Sequence, residues 1–154
     1  MINKISEHIS YKEATRSATA LRKGISNVPN PSEKENMRTV AEKVFEPLRE
    51  WVGGPIRINS FFRSVKLNKA IGGSKRSQHC KGQAIDLDDS YGFKTNAEMF
   101  HYIKDNLDYD KLIWEFGDDE NPDWVHVSYV SENNNRKMTM KAERKDGQTF
   151  YIYI

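Results

Sequence analysis

The chain has 154 residues, of which 24 are Lys or Arg and 22 are Asp or Glu, so its formal net charge is +2. A hydrophobic fraction of 37% and a charged fraction of 30% are typical of a folded globular protein and exclude a disordered or collagen-like chain. The small charge on scattered basic residues argues against nucleic acid as a partner, and the longest apolar run, Phe150 to Ile154, is far shorter than the roughly 18 residues of a membrane span.

The length predicts a single domain over residues 1–154, and we expect it to act as a monomer without membrane insertion. The stretch from Met1 to His8 lacks the apolar segment of a secretory signal. We therefore expect synthesis in the cytoplasm, with action on a cell wall only after release, as in phage lysis, or else on cytoplasmic peptides. The single cysteine, Cys80, excludes an internal disulfide.

The N-terminal part of the chain is predicted to be helical. Residues Tyr11–Lys23 form the first predicted helix, with Ser10 and Glu13 as a capping box. Ser32 and Glu35 give a second box before a segment with apolar residues at 3–4 spacing, which ends at Gly53-Gly54-Pro55. Pro47 lies within this segment and predicts a kink or break near residues 43–46, because proline lacks a backbone donor.

The middle of the chain predicts shorter elements. Ile56 and Ile58 alternate with polar residues as in a strand, and residues 64–71 indicate a short helix closed by Gly72-Gly73. Residues 74–89 show no periodicity but are dense in chemically special residues, as in many functional loops. Thr95 and Glu98 form a third capping box, before another amphipathic helix.

The C-terminal third predicts strands, the last two joined by a hairpin turn at Asp146-Gly147. Their predicted ranges are 111–116, 124–129, 137–142 and 149–153. Helices first and strands last, with short turns between strands, predict an α+β fold with a small antiparallel sheet and helices mainly from the N-terminal half.

Two of the four histidines stand in contexts that favour a metal site. His79 precedes Asp86 in a loop-like segment, and His126 lies on a predicted strand, where it shares a face with Trp124 and Ser128. Two histidines and one carboxylate are a common ligand set for catalytic zinc, with a fourth position left for water. Ordinary structural histidines would give the same pattern, so the residues alone leave both interpretations open.

Hydrolysis at such a zinc also requires a carboxylate that takes a proton from water. Asp123, three residues before His126, and Glu115, on the preceding strand, are both candidates. Glu115 has a second interpretation, in which it orients a ligand histidine through a hydrogen bond. Ser128 is a candidate for the same supporting role.

The chain resembles the zinc peptidases that include D-Ala-D-Ala carboxypeptidases, VanX and phage L-alanyl-D-glutamate endolysins. The resemblance rests on Ser-x-His-x-x-Gly-x-Ala-x-Asp, present as residues 77–86, and on a distant acidic-x-x-His, present as residues 123–126. Residues 59–64 are similar to the family's Ser-Gly-Tyr-Arg-Ser strand end, and residues 67–73 are similar to its Asn-x-x-x-Gly-Gly turn. The final hairpin carries no family residue that we can assign.

The resemblance implies a role for each matching residue and a fold like that of the hedgehog and DD-peptidase proteins. His79, Asp86 and His126 would bind zinc, Asp123 would be the general base, and Arg63 would hold a substrate carboxylate or carbonyl. Substrate would also contact Ser77, Gln78 and Trp124. Of these, Trp124 is expected either in the cleft wall or in the core. Phe61 replaces the usual glycine of the strand end and is expected to reshape the pocket beside Arg63.

These expectations together describe a zinc-dependent peptidase that hydrolyses an amide bond in peptidoglycan peptides, as a D-Ala-D-Ala carboxypeptidase or an L-Ala-D-Glu endopeptidase, in the context of a phage lytic enzyme. The alternative is a module of the same fold that binds metal or cell wall without hydrolysis, such as a phage structural component.

Overall fold

The computed structural model describes residues 3–154; Met1 and Ile2, the start of the segment searched for a signal, lie outside the described residues. The strands are β1 (Lys4–Ser6), β2 (Ile9–Ser10), β3 (Arg57–Ser60), β4 (Ala84–Asp88), β5 (Lys111–Glu115), β6 (Trp124–Ser128), β7 (Met138–Lys145) and β8 (Gln148–Tyr153). The helices are α1 (Tyr11–Thr15), α2 (Ala18–Lys23), α3 (Pro31–Val40), α4 (Glu46–Val52), α5 (Val65–Ala70) and α6 (Asn96–Asn106). None of the helices within residues 3–154 has the length and apolarity of a membrane span.

Six strands form the main sheet in the order β3-β4-β6-β5-β7-β8, and β1 and β2 form a separate pair. The α+β class is therefore confirmed. One pair departs from the antiparallel order, since β7 runs parallel to β5. This follows from the connectivity: β6 turns back along one side of β5, and the chain then crosses to the other side of β5 before it enters β7.

The two faces of the sheet have different environments. One face packs against α3, α4 and α6 in a single core, to which the strands of the main sheet contribute seven residues: Ile58, Ile85, Leu87, Leu112, Trp114, Val125 and Val127. Helix α6 alone buries Met99, Phe100 and Ile103, and full burial of side chains of this size stabilises by about 1.5–3 kcal/mol each. The opposite face is open and carries the candidate site.

The helical predictions hold except at two boundaries. The first helix is interrupted at Arg16, and Ser17 caps a new helix by accepting a hydrogen bond from the Ala20 amide at 3.1 Å. The second capping box is formed by Asn30 and Glu33 rather than by Ser32 and Glu35, because Pro31 takes the first helical position, where its missing N–H costs nothing.

The expected irregularity before Pro47 is a π-helical turn. It covers Ala41–Phe45, and the Glu46 amide donates to the carbonyl of Ala41, five residues back. Wider i to i−5 hydrogen bonding is one of the ways in which a helix accommodates a local disturbance. The apolar face continues through the turn, with Val44, Phe45 and Leu48 buried.

Strand β4 was not predicted, and Phe116 lies on the site face of the sheet. Residues 84–88 do alternate, with Ile85 and Leu87 in the core, but two aspartates on the other face weaken the strand pattern. Phe116 ends β5 at a φ of 57°, so its side chain packs with Ile113 and Met140 on the site face instead of continuing the core alternation of β5.

Gly82 lets the motif segment pass close to helix α3. Its φ is +73°, and a Cβ there would collide with the backbone carbonyl of Glu33 and with Met37. Its N–H donates to the His79 carbonyl at 3.2 Å, which closes the short 3₁₀ helix Gln78–Lys81. The glycine therefore fixes where this turn lies relative to the sheet.

We predict that Gly82→Ala lowers the free energy of unfolding by about 2–5 kcal/mol, the sum of left-handed backbone strain and crowding against α3. Gly92→Ala is the matched control, because Gly92 has a φ of +75° and open space around it. It should lose only about 1–2 kcal/mol. Urea unfolding of both variants gives the comparison, and equal losses would contradict the close approach to α3.

Candidate metal centre and active-site cleft

Three potential metal ligands meet at the centre of the open sheet face. Asp86 on β4 lies directly opposite His126 on β6, and His79 enters from the 3₁₀ helix. Asp86 Oδ1 is 2.9 Å from His126 Nδ1, and Asp86 Oδ2 is 3.2 Å from His79 Nε2. One donor atom from each residue lies within 4.8 Å of the other two. The expected convergence of these three side chains is therefore present.

Backbone contacts fix the orientation of His79, which is 2% exposed. Its Nδ1 lies 2.7 Å from the carbonyl oxygen of Phe61, so Nδ1–H donates to that carbonyl and Nε2 is the nitrogen directed at the site. Phe61 itself is buried in the core and does not line the cleft, contrary to expectation. Its contribution is the carbonyl that selects the tautomer of His79.

Asp86 is held as an anion between the two imidazoles. Burial alone would raise its pKa, but the charge and hydrogen bonds of His79 and His126 hold the pKa of this carboxyl well below its usual range. Ionisation matters for metal binding, because a protonated carboxyl is a poor ligand.

Glu115 lies on the same face and lines the cleft beside the three ligands. It is 8% exposed, and the register of β5 with β6 places it opposite Trp124, two pairs along from Ile113 and His126 and therefore on the same face. Burial raises the pKa of Glu115 to about 7; the nearby His126 lowers it and the Asp86 carboxylate raises it. A carboxyl poised near neutral pH can both accept and return a proton.

Asp123 lies elsewhere, which corrects its expected place at the mouth of the site. Strand side chains alternate between faces, so three residues before His126 is the wrong parity for the site face. Asp123 is exposed and does not line the cleft, and its amide donates to the Glu115 carbonyl at 2.9 Å. Of the two candidate bases, the structure brings Glu115 to the ligands.

Arg63 and Ser77 line the cleft on the side of β3 and α5, as expected. The Arg63 amide donates to the His79 carbonyl at 3.2 Å, and its Nη2 donates to Ser77 Oγ at 3.4 Å. Arg63 Nε is buried and has no hydrogen-bond partner among residues 3–154. Burial lowers the pKa of this guanidinium, offset by Asp86 and Cys80.

Gln78 also lines the cleft, but its side chain is bound to a buried acid that sequence reasoning missed. Gln78 Nε2 donates to Asp110 Oδ2 at 2.8 Å, and Arg136 donates to the same carboxylate through its amide, Nε and Nη2 at 2.7–3.0 Å. Burial opposes this charge, and the bonds from Arg136 and Gln78 lower the pKa of Asp110 to about 2. Asp110 thereby ties the motif segment to the loop before β7.

The remaining expectations concern Trp124, Ser128 and the orienting role of Glu115. Trp124 lines the cleft, and its Nε1 is buried with no hydrogen-bond partner in the described chain. Ser128 is buried and does not support a ligand, because its Oγ accepts from the Lys111 amide at 3.0 Å. No hydrogen bond joins the Glu115 side chain to a histidine in residues 3–154, so its orienting role is not seen either.

The cleft extends across the sheet and has a volume of about 560 Å³. Beyond Glu115 its lining continues onto the C-terminal hairpin, where four residues face it: Met138, Met140, Tyr151 and Tyr153. Sequence reasoning assigned no site residue to this hairpin. The alternation of large apolar residues in β8 was visible, but it gave no indication of which face they would meet.

A family model described as Peptidase M15 matches residues 7–128. The chain belongs to the peptidase M15 family. A comparison with curated proteins gives no match. The family consists of zinc-dependent peptidases that act on peptidoglycan in general, which agrees with the resemblance seen in the motifs. The match ends before β7, so the C-terminal hairpin lies outside it.

The residues present fit the zinc of the M15 family. The donor set is two imidazole nitrogens and one ionised carboxylate, as in catalytic zinc sites. The 2.9 and 3.2 Å separations are slightly shorter than the edges of about 3.3–3.6 Å in a tetrahedron with bonds of about 2.0–2.2 Å. The tautomer of His79, fixed by the Phe61 carbonyl, is the arrangement expected of a ligating imidazole.

Glu115 predicts a pH dependence of stability in the metal-free protein. Its pKa is raised from 4.5 to about 7, so between these values the folded state keeps a proton that the unfolded chain has released. Stability from this group therefore falls as the pH rises through that window. We expect Glu115→Gln to gain about 2–3 kcal/mol in free energy of unfolding relative to the parent between pH 5 and pH 8.

Chemical denaturation of the metal-free proteins at both pH values measures this difference. The exposed substitution Glu50→Gln is the control and should give the same difference from the parent at pH 5 and pH 8. A Glu115→Gln difference that does not change with pH would mean that the carboxyl is not held in an apolar environment.

Proposed function

We propose that this M15 chain is an endopeptidase that hydrolyses an amide bond within peptidoglycan stem peptides. The observation that supports this most directly is the convergence of His79, Asp86 and His126 beside a buried Glu115 with a pKa near 7. The cleft continues on both sides of these residues, towards Arg63 on one side and the hairpin on the other. An open cleft suits a bond inside a longer chain better than a terminal residue.

His79 Nε2, an Asp86 oxygen and His126 Nδ1 would hold the zinc, because these are the atoms that face one another. When bound, zinc supplies Lewis-acid chemistry that acidifies water and polarises a carbonyl. Asp86 would contribute the negative charge of the set, and the bond from His79 Nδ1–H to the Phe61 carbonyl leaves Nε2 as the nitrogen that faces the other two ligands.

Glu115 is proposed as the general base. It accepts a proton from the attacking water and returns it to the leaving amine, and a pKa near neutral pH makes both transfers favourable. Its burial at 8% exposure keeps bulk water away from the carboxylate. Asp123 is exposed and away from the cleft, so its short side chain has no direct path to the reacting atoms.

Arg63 is proposed to hold a carboxylate of the substrate. Two parallel hydrogen bonds from a guanidinium match a carboxylate in distance and direction, which a lysine ammonium cannot copy. The bond from Nη2 to Ser77 Oγ holds the guanidinium beside the cleft. Substrate placed in this way presents the attacked carbonyl at a fixed point relative to Glu115.

Hydrolysis of purified muropeptides by the zinc-loaded protein tests the proposal, and two acidic positions provide a matched pair. We predict that Glu115→Gln retains zinc but lowers kcat by at least about 10²-fold, the usual effect of removing a general base. Asp123→Asn should stay within about threefold of the parent, because Asp123 does not reach the cleft.

The opposite result, with Asp123→Asn inactive and Glu115→Gln active, would overturn the assignment of the base. A parent that binds zinc and muropeptide but releases no product would instead identify the chain as a binding module that keeps the fold without hydrolysis.

A further inference from the structure

The C-terminal hairpin is a part of the cleft that the family match does not include. The match ends at residue 128, whereas β7 and β8 cover residues 138–153. Parallel pairing of β7 with β5 makes the hairpin continuous with the strands that carry the site. The cleft lining therefore includes side chains that this chain adds to the matched region.

The sheet register places two tyrosines in line with the reactive residues. Tyr151 pairs with Ala142, and Ala142 pairs with Glu115. Two strand spacings separate Tyr151 from Glu115, which is about 10 Å between backbones. Ala142 is small and fully buried, so the Tyr151 ring has room to lean over it towards Glu115. Burial raises the pKa of Tyr151, as do the charges of Glu115 and Asp86.

Tyr153 occupies the neighbouring row. It pairs with Met140, which pairs with Ile113 opposite His126. Three strand spacings, or about 14 Å, therefore separate Tyr153 from the ligand His126. Residues two apart on a strand share a face, so Tyr151 and Tyr153 form one aromatic strip along the cleft edge.

The two ends of the cleft differ in chemistry because they lie at opposite edges of the sheet. Arg63 and Arg76 line the end beside β3, and Tyr151 and Tyr153 line the end at β8. The tyrosines are 56% and 68% exposed, and each combines an apolar ring with a polar hydroxyl. An open surface that combines apolar ring faces with polar edges suits a group of the same character that stays partly in water. A sugar ring has that character.

We propose that the Tyr151–Tyr153 strip is a saccharide subsite, which means that the substrate is a stem peptide still attached to its sugar. This inference rests on the proposed function. An extended peptide covers about 3.3–3.6 Å per residue, so a group two or three residue lengths from the attacked bond reaches a wall about 10 Å from Glu115. In peptidoglycan, a lactyl ether on the sugar connects it to the first stem residue. The sugar therefore lies at about that distance from the amide bond between the first and second stem residues.

The cationic end of the cleft fits the same orientation. With the sugar at β8, the residue after the attacked bond lies towards Arg63. The second stem residue is a glutamate linked through its γ-carboxyl, so its α-carboxylate is free to accept hydrogen bonds from the guanidinium. Recognition at both ends would fix the attacked carbonyl between them.

Kinetics with paired substrates test the subsite: a muramyl tripeptide and the same tripeptide without its sugar. We expect the zinc-loaded parent to prefer the muramyl peptide by about tenfold in kcat/KM, mainly through KM. The double variant Tyr151→Ala with Tyr153→Ala should reduce this ratio to about one. The matched control is Phe150→Ala, because Phe150 is 47% exposed on the same strand but does not line the cleft. It should keep the parent ratio.

Four outcomes would overturn the saccharide subsite while the peptidase function stands, and three of them are kinetic. They are a parent ratio near one, an unchanged ratio in the double variant, and a Tyr151→Phe variant that loses kcat on both peptides, which would make the phenol a catalytic group. A fourth is a shift in sedimentation caused by Phe150→Ala and the tyrosine variants alike, which would identify β8 as a surface for self-association. Circular dichroism melts of each variant confirm that it is folded.

If the parent hydrolyses neither peptide, the proposed function is wrong, but the saccharide subsite can still be tested by binding. Calorimetric titration of the zinc-loaded parent with the two tripeptides then decides the matter. Tighter binding of the muramyl form by about tenfold, lost in the double variant, would support the subsite, and equal binding of both forms would overturn it.

Discussion

The buried pairing of Asp86 with two imidazoles is the interaction on which the rest of the site depends. A carboxylate in this position is costly unless opposite partial charges and donors surround it. His126 and His79 supply them at 2.9 and 3.2 Å, and they lower the pKa of the carboxyl despite its burial. The same cluster concentrates negative charge between two nitrogen donors, which is the chemistry that a divalent zinc ion neutralises.

The division of the sheet into two faces makes this cluster possible. Helices cover one face with a continuous apolar core, which holds the strands in place. Side chains that alternate with this core, including Asp86, Glu115 and His126, then project into a cleft from rigid backbone. Burial of Glu115 among them raises its pKa to about 7. The position that makes a carboxyl useful for proton transfer is thus a consequence of its strand parity.

The sequence predicted that His79, Asp86 and His126 lie together because spacing and residue type carry that information locally. His79 and Asp86 stand in one short motif, and His126 stands on a strand whose alternation was clear. Local spacing did not predict which candidate base lies in the cleft, since Asp123 is close to His126 in sequence but has the wrong parity for the site face. Glu115 reaches the site only through the pairing of β5 with β6.

Long-range pairing also explains what else the sequence did not reveal. Strand β4 was not predicted because its site face carries aspartates. The position of Tyr151 and Tyr153 in the cleft lining depends on the parallel alignment of β7 with β5. Asp110 looked like an ordinary loop acid, yet it is fully buried and joins Gln78 to Arg136. None of these relations is visible in residues that are neighbours along the chain.

Anomalous diffraction at the zinc absorption edge, from crystals grown with one equivalent of zinc, tests the central claim most directly. We predict one strong peak about 2.0–2.2 Å from His79 Nε2, an Asp86 oxygen and His126 Nδ1. A second group of donors, Glu7, His8 and Glu46, lies at the surface and provides an internal comparison. A peak at that surface group alone, or no peak beside Asp86, would contradict the assignment of the metal centre.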